Sequence, residues 1–277
     1  MKASNSRILT THAGSLPRPE GLVAMLADVS RGEPVAETAL NEAGREATAT
    51  VVAAQLDAGV NVVNNGEQSR VSFSTYVTQR MSGFGGAWTR RGHRDHNEFP
   101  SVARPRAVQL MRDVPTCIGP LSYERLDLVE QECRQLLDAV DAAGSRPEEL
   151  FMTAASPGIV ALTLANRYYD SHEDYVFALA EELRKEYEII IANGLTLQLD
   201  CPDLAMERHV SYQDEPLSSF RDLVALHIRA INCALSNIPR DQVRLHVCWG
   251  NSEGPHIYDV PWRISWTFST RPTWALW

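Results

Sequence analysis

The stretch Val243-Arg244-Leu245-His246-Val247-Cys248-Trp249-Gly250-Asn251 begins as a short apolar strand and ends in a turn marked by Gly250 and Asn251. Side chains at positions i and i+2 of a strand point to the same face, so His246 and Cys248 can converge where the strand meets its loop. Imidazole nitrogen and thiolate sulfur are both good zinc ligands, and catalytic zinc takes three protein ligands. The spacing alone is a weak signal, and the alternative is a small core cysteine beside a hydrogen-bonded strand-end histidine.

Outward from this stretch, apolar strands alternate with amphipathic helices along the whole chain. Strands are predicted near residues 7–12, 60–63, 115–119, 150–155, 195–200 and from 243 onward. Such alternation predicts an α/β fold with a parallel sheet and right-handed crossovers, either a TIM-type (β/α)8 barrel or an open doubly wound sheet. No glycine-rich G-x-G-x-x-G turn follows a strand, so no dinucleotide site is predicted.

Polar side chains at the predicted strand ends favour the barrel. They are His12, Glu67, Ser156, Asp200, His246 and Cys248. In a barrel these positions surround one mouth, where active sites lie, although each residue alone could be a turn or cap residue. The glycine- and arginine-rich region 83–106 is predicted to be a long functional loop. Its arginines Arg90, Arg91 and Arg94 form either a solvated face or a contact for a polyanionic substrate tail.

Composition narrows the class of protein. The chain has 277 residues, is 44% hydrophobic and carries a net charge of -9, which argues against nucleic acid or an anionic membrane as a partner. Its apolar runs are too short to span a bilayer, and the first residues lack the apolar core of a signal peptide. The five cysteines are scattered without close pairs, which is typical of a reduced cytoplasmic protein.

Four motifs, spread along the chain, together resemble a known family. They are residues 10–19 (TTHAGSLPRP), 65–70 (NGEQSR), 198–202 (QLDCP) and 245–251 (LHVCWGN). In order and spacing they are similar to the cobalamin-independent methionine synthase family, specifically its C-terminal catalytic barrel and stand-alone relatives. This family shares a superfamily with uroporphyrinogen decarboxylase.

The resemblance implies a zinc-dependent methyltransferase that moves a methyl group from 5-methyltetrahydrofolate, in polyglutamate form, to the thiol of homocysteine or a related thiol. It implies His246 and Cys248 as zinc ligands, the Gly14–Ser15 turn as the site for the amino acid carboxylate, and Asp200 as the partner of its ammonium. Zinc would deprotonate the substrate thiol. Glu67 and His12 are expected at the same mouth without a defined role.

The chain also departs from the family pattern. Thr75 stands where a second acidic residue contacts the amino acid, and the tryptophan that stacks on folate is replaced near Thr163. The remaining zinc ligands and the catalytic histidine of the family come after the sixth strand, where residues 252–277 contain no cysteine. Glu253 or His256 could substitute locally. Cys201, at the end of the neighbouring strand, is either a further ligand or a packed thiol.

These departures predict a barrel domain over residues 1–259 with about six of eight strands, followed by an atypical aromatic tail at 260–277. A shifted reading frame or truncated gene explains that tail; the alternative is a genuine tail that covers the open edge with aromatics. Open strand edges would favour self-association. Little or no activity is expected from the chain as written. The competing functions are a metal-free decarboxylase of the same superfamily and a non-catalytic fragment that binds a thiol or a partner.

Overall fold

The computed structural model describes residues 1–2, 4–101, 113–250 and 254–261. Its strands are β1 (Val62–Val63), β2 (Met81–Thr89), β3 (Asp113–Tyr123), β4 (Glu149–Ala155), β5 (Thr196–Asp200) and β6 (Val243–His246). Its helices are α1 (Glu20–Ser30), α2 (Glu37–Asp57), α3 (Arg94–Glu98), α4 (Leu126–Ala143), α5 (Pro157–Thr163), α6 (His172–Ala192) and α7 (Leu217–Ala234). The predicted tail lies mostly outside the described residues, so its origin stays a prediction.

A four-stranded parallel sheet, in the order β1-β4-β5-β6, forms the centre of the molecule. Because parallel neighbours require crossovers, each pair is separated in sequence by helices that pack beside the sheet. The pairing places Met152, Leu197 and Val243 side by side on one face, and all three are buried. Adjacent positions therefore point to the opposite face, which carries Thr153, Gln198 and Arg244. That polar face holds the candidate site.

Local sequence signals set the helix boundaries. The hydroxyl of Ser171 accepts a hydrogen bond from the Asp174 backbone N–H at 3.0 Å, which caps α6. Ser156 caps α5 in the same way, through the N–H of Ile159 at 3.1 Å. Gly144 ends α4 in the left-handed conformation, with φ of 65°. These residues fix where α5 and α6 begin and where α4 ends.

Two of the predicted strands differ in the structure. The third, at residues 115–119, was expected to join the parallel sheet, but it belongs to β3, which pairs antiparallel with β2 in a separate hairpin. β2 occupies the start of the predicted loop, and α3 follows it. Irregular pairing between Ser82 and Phe84 and between Gly85 and Trp88 breaks the alternation of side chains, so the strand had no clear period.

The first predicted strand is extended without entering the sheet ladder. The carbonyl of Thr10 accepts hydrogen bonds from the backbone N–H groups of Asn61 and Val62, at 3.1 and 3.0 Å. These bonds run residues 10–14 alongside β1 and bring Gly14 to the sheet. In the described part of the chain, no helix is both long and apolar enough to cross a membrane.

Candidate active site at the strand ends

Three residues that the sequence placed at the mouth do meet there: Gly14, Glu67 and Asp200. A Cβ added to Gly14 would lie 2.7 Å from Glu67 Oε1 and 2.9 Å from the Thr153 methyl group, so only glycine fits this approach. The negative charge of Glu67 also raises the pKa of Asp200. Both carboxyl groups are buried, Glu67 with 2% and Asp200 with 7% of its surface exposed.

Glu67 has an unusual backbone. Its φ is +55°, directly after Gly66 at +62°, and a residue other than glycine is rarely found in this left-handed region. Asn65 Oδ1 accepts the Glu67 N–H at 2.9 Å, and Arg18 Nη2 donates to the Glu67 carbonyl at 2.6 Å. Strain of this kind clusters at functional sites, where surrounding contacts hold it in place.

Asp200 ends β5 on the polar face of the sheet. Its Oδ1 accepts a hydrogen bond of 2.8 Å from Gln198 Nε2. Burial, followed by the charge of Glu67, raises the pKa of Asp200 from its ordinary value to about 8, against the opposing effects of Gln198 and Arg70. The negative charge of Glu67 disfavours ionisation of Asp200, and a bound cation would relieve the repulsion between the two carboxyl groups.

His246 and Cys248 lie at the end of the neighbouring strand. His246 pairs with Asp200 in the β5–β6 register. Both side chains are half-buried. Burial lowers the pKa of His246 and raises the pKa of Cys248, and the charge of Asp200 raises the Cys248 value further. The Cys248 thiol therefore lies within the electrostatic field of Asp200.

The described residues supply zinc with two of the three protein donors that a catalytic site needs. His246 and Cys248 have suitable chemistry, but no group of three His, Cys, Asp or Glu side chains in the described ranges is arranged to hold a metal. Cys201 is fully buried and donates to the Leu199 carbonyl at 3.5 Å, as a packed thiol does. Glu253 lies outside the described residues. The zinc donor set is thus incomplete among the described residues.

Other residues expected at the site have structural partners. His12 Nε2 lies 2.8 Å from Gln55 Oε1, and its ring meets Phe151 edge-on at 5.8 Å. His12 thus packs beneath the mouth, whereas Ser15 is exposed beside Gly14. His256 Nδ1 lies 3.0 Å from Asp259 Oδ2, so one of its two ring nitrogens is engaged.

The arginine block is a solvated face in part, because Arg91 and Arg94 are exposed while Arg90 is buried, and all three have partners within the chain. Arg90 is buried and bonded to Glu207, Arg91 pairs with Asp214, and Arg94 stacks over the ring of Tyr258 at 4.1 Å. Each positive charge is already engaged within the chain. The polyglutamate contact considered from the sequence therefore has no support here.

Sequence reasoning missed four residues of the polar face: Thr153, Gln198, Arg70 and Arg244. Thr153 and Gln198 stand in the middle of otherwise apolar strands, and Gln198 precedes Asp200 by two positions. Polar residues at a spacing of two in a buried strand are a signal that the face opposite the helices carries chemistry. The two arginines gave no comparable signal.

Known proteins are similar to this chain in sequence and in fold. No family model matches the chain. Methionine synthase of Sulfolobus acidocaldarius is 27% identical over 253 residues, covering 90% of this chain and 64% of the relative. Methionine synthase of Thermococcus kodakarensis is 28% identical, covering 87% of this chain and 62% of the relative. The chain thus spans just under two thirds of the length of these curated relatives.

Solved structures show the same fold. A B12-independent methionine synthase from Shewanella, in complex with selenomethionine, superimposes with a TM-score of 0.60 at 20% identity over 87% of this chain and 61% of that one. A putative B12-independent methionine synthase from Listeria monocytogenes gives a TM-score of 0.59 at 17% identity over 88% of this chain and 67% of that one. The barrel-type α/β fold class is confirmed. The chain is therefore similar in sequence to proteins named methionine synthase and similar in fold to B12-independent methionine synthases, as its four motifs predicted.

Proposed function

We propose that the chain transfers a methyl group to the thiol of an amino acid, homocysteine, at the mouth formed by the strand ends. The observation that carries this proposal is the buried pair Glu67 and Asp200 beside Gly14, next to the end of β6, which leads to Cys248. A paired carboxylate site suits an ammonium group, which has three donors and a positive charge. The similar proteins are named methionine synthase, and this name supports methyl transfer as the class of reaction.

The residues of this chain would then act by binding and orienting. Glu67 and Asp200 take the ammonium, and the backbone turn at Gly14 and Ser15 takes the carboxylate. The thiol then extends toward His246 and Cys248. The sulfur attacks the methyl carbon, the new S–C bond forms as the C–N bond of the donor breaks, and the electron pair of that bond stays on the donor nitrogen. The thiol loses its proton and the donor nitrogen gains one, so the demethylated donor leaves with an N–H group.

The test compares two thiols. Isothermal titration calorimetry should show that L-homocysteine binds at least about tenfold more tightly than 4-mercaptobutanoate, which lacks the ammonium and so one charge-assisted contact. Incubation with homocysteine and methyltetrahydrofolate, read by mass spectrometry, then measures methionine. Equal affinity for the two thiols, or binding of neither, would contradict the proposed substrate.

Zinc binding by His246 and Cys248 is a separate part of the proposal. Elemental analysis of protein purified with added zinc should show less metal in Cys248→Ser than in the unaltered chain. Cys233→Ser is the matched control, since this half-buried thiol on α7 contacts Glu181 instead of the mouth. Equal metal content in both variants would remove zinc from the proposal.

The methyl donor has one aromatic candidate. Trp88, from the hairpin, donates from Nε1 to the Thr163 carbonyl at 3.1 Å, so it reaches the position where the family tryptophan is replaced. We infer that Trp88 offers the surface on which a folate ring stacks. Trp88→Ala should weaken binding of methyltetrahydrofolate while Trp88→Phe retains it, measured by calorimetry; equal affinities would reject this role.

A further inference from the structure

We propose that Arg70 and Arg244 are paired positioning residues: each one orients a neutral side chain so that it donates to one carboxyl group of the mouth and prepares that group for a cation. This inference rests on the proposed function for the identity of the cation, an ammonium. The hydrogen-bond arrangement itself does not depend on it. Each arm passes from a guanidinium through one neutral side chain, Thr153 or Gln198, to a carboxyl group.

The first arm runs from Arg70 to Glu67. Arg70 Nη1 donates to the Thr153 hydroxyl at 3.2 Å and to the Thr153 carbonyl at 2.9 Å. A guanidinium can only donate, so the hydroxyl must accept from it and has one proton left to give. That proton points to Glu67 Oε1, 2.9 Å away. The oxygen of Glu67 is therefore held as an acceptor.

The second arm runs from Arg244 to Asp200 by the same logic. Arg244 Nε donates to Gln198 Oε1 at 2.9 Å, which fixes which end of the amide is oxygen. Gln198 Nε2 must then donate, and it does so to Asp200 Oδ1 and to the Ala13 carbonyl. Asp200 Oδ1 is an acceptor, and the segment that carries Gly14 is tied to the same amide.

Both guanidinium groups are anchored, so neither arm is free to turn. Glu132 accepts from Arg70 Nε at 3.0 Å and from Nη2 at 2.7 Å, a two-point contact that sets the plane of the group. Arg244 lies 3.8 Å over the ring of Phe151. Anchored donors of this kind preorganise a site before the ligand arrives.

The consequence is a mouth that presents acceptors with fixed directions. A ligand group that can only accept hydrogen bonds finds no donor from Glu67 Oε1 or Asp200 Oδ1. An ammonium, with three donors, satisfies both. The two arms therefore make the mouth more specific for a cationic group than two carboxyl groups without fixed orientations would be.

The test removes one hydroxyl. Thr153→Val keeps the shape of the side chain, and Thr153→Ser keeps the hydroxyl. Thr48→Val is the control, because Thr48 is equally buried and its hydroxyl has no hydrogen-bond partner among the described residues. By calorimetry, Thr153→Val should weaken L-homocysteine binding about tenfold, the loss of one hydrogen bond to a charged group, and leave 4-mercaptobutanoate unchanged. Thr153→Ser should restore the affinity. Equal losses for both thiols, or none, would overturn the inference.

A second readout needs no ligand, so it separates failure of the inference from failure of the proposed function. Protein labelled with ¹³C-glutamate shows the carboxyl stretching band of Glu67 in the infrared, assigned by its absence in Glu67→Gln. The band should shift in Thr153→Val and return in Thr153→Ser. A band that stays in place in Thr153→Val would overturn the positioning role, whether or not the protein binds homocysteine.

Discussion

Gly14 shows how one missing atom shapes the site. Because a Cβ there would press on Glu67 and Thr153, Gly14→Ala must displace one of them. We expect a loss of about 1–3 kcal/mol in the free energy of unfolding, typical of overpacking, together with weaker homocysteine binding. Urea denaturation and calorimetry measure the two effects.

Gly21 in α1 is the matched control for that substitution. An added Cβ there meets no atom within 4 Å, so Gly21→Ala should keep or raise stability by up to about 1 kcal/mol through helix propensity. Equal free energies of unfolding for Gly14→Ala and Gly21→Ala would show that the close approach at Gly14 does not affect stability.

The raised pKa of Asp200 predicts that stability depends on pH between about pH 4 and pH 8. Its pKa in the folded chain is raised to about 8, so the unfolded chain loses the Asp200 proton first as pH rises. Stability should therefore fall between about pH 4 and pH 8. Asp200→Asn removes this effect, and its melting temperature should exceed that of the unaltered chain most clearly above pH 8 and converge with it near pH 4. A constant difference across this range would contradict the assignment.

At the scale of elements, a buried ionic cluster fastens the segment after β1 to α4. Arg70 and Arg80 both bond to Glu132, at 2.7 and 2.6 Å, and all three side chains are buried. Glu132→Gln leaves two guanidinium groups poorly compensated, so we expect a loss of about 3 kcal/mol or more in the free energy of unfolding. Urea denaturation, followed by circular dichroism, checks it.

The exposed pair Arg45 and Glu42 on α2 provides the comparison. Its contact is just as short, at 2.6 Å, but both side chains stand in solvent. Glu42→Gln should leave the denaturation midpoint unchanged, because solvent screens such pairs. Similar effects of the two substitutions would show that burial does not govern the strength of this cluster.

The elements divide into those that the sequence predicts and those that it cannot. β4, β5 and β6 are apolar runs with clear ends, so the strand ends at Asp200 and His246 followed from local pattern. The β2–β3 hairpin did not, because its bulges break the period of two and its partner strand is distant in sequence. The helices with long apolar stripes, such as α4 and α6, were the easiest to place.

The site divides in the same way. Gly14, Glu67 and Asp200 were found from motifs at strand ends, where topology alone brings residues together. Thr153 and Arg70 were missed because their role depends on a chain of contacts between three separate segments. Arg90 also misled, since no local pattern reveals that Glu207 lies against it in the folded chain.

For the whole molecule, the half-buried histidines His93 and His172 set a limit to stability on the acid side. Burial lowers the pKa of His93 to about 3 and that of His172 to about 4, and neighbouring histidines add to both shifts. Below about pH 6.5 the unfolded chain takes up these protons and the folded chain does not, so stability falls as pH drops toward 4. Combined with Asp200, this predicts a stability maximum near neutral pH.

Melting temperatures measured from pH 4 to pH 9 test this curve. His172→Asn should flatten the acid limb and leave the fall above about pH 6.5 as it is, whereas Asp200→Asn should remove that fall and steepen the acid limb, because Asp200 opposes the histidines between about pH 4 and pH 6.5. Two variants with the same curve would show that these groups do not set the pH limits.

The left-handed backbone of Glu67 has a consequence for directed evolution of this chain. A side chain at such a φ costs about 1 kcal/mol that glycine would not, and its buried carboxyl group adds repulsion with Asp200. A library of position 67 sorted only for thermal tolerance should therefore enrich glycine and asparagine. The same library sorted for homocysteine capture should return glutamate.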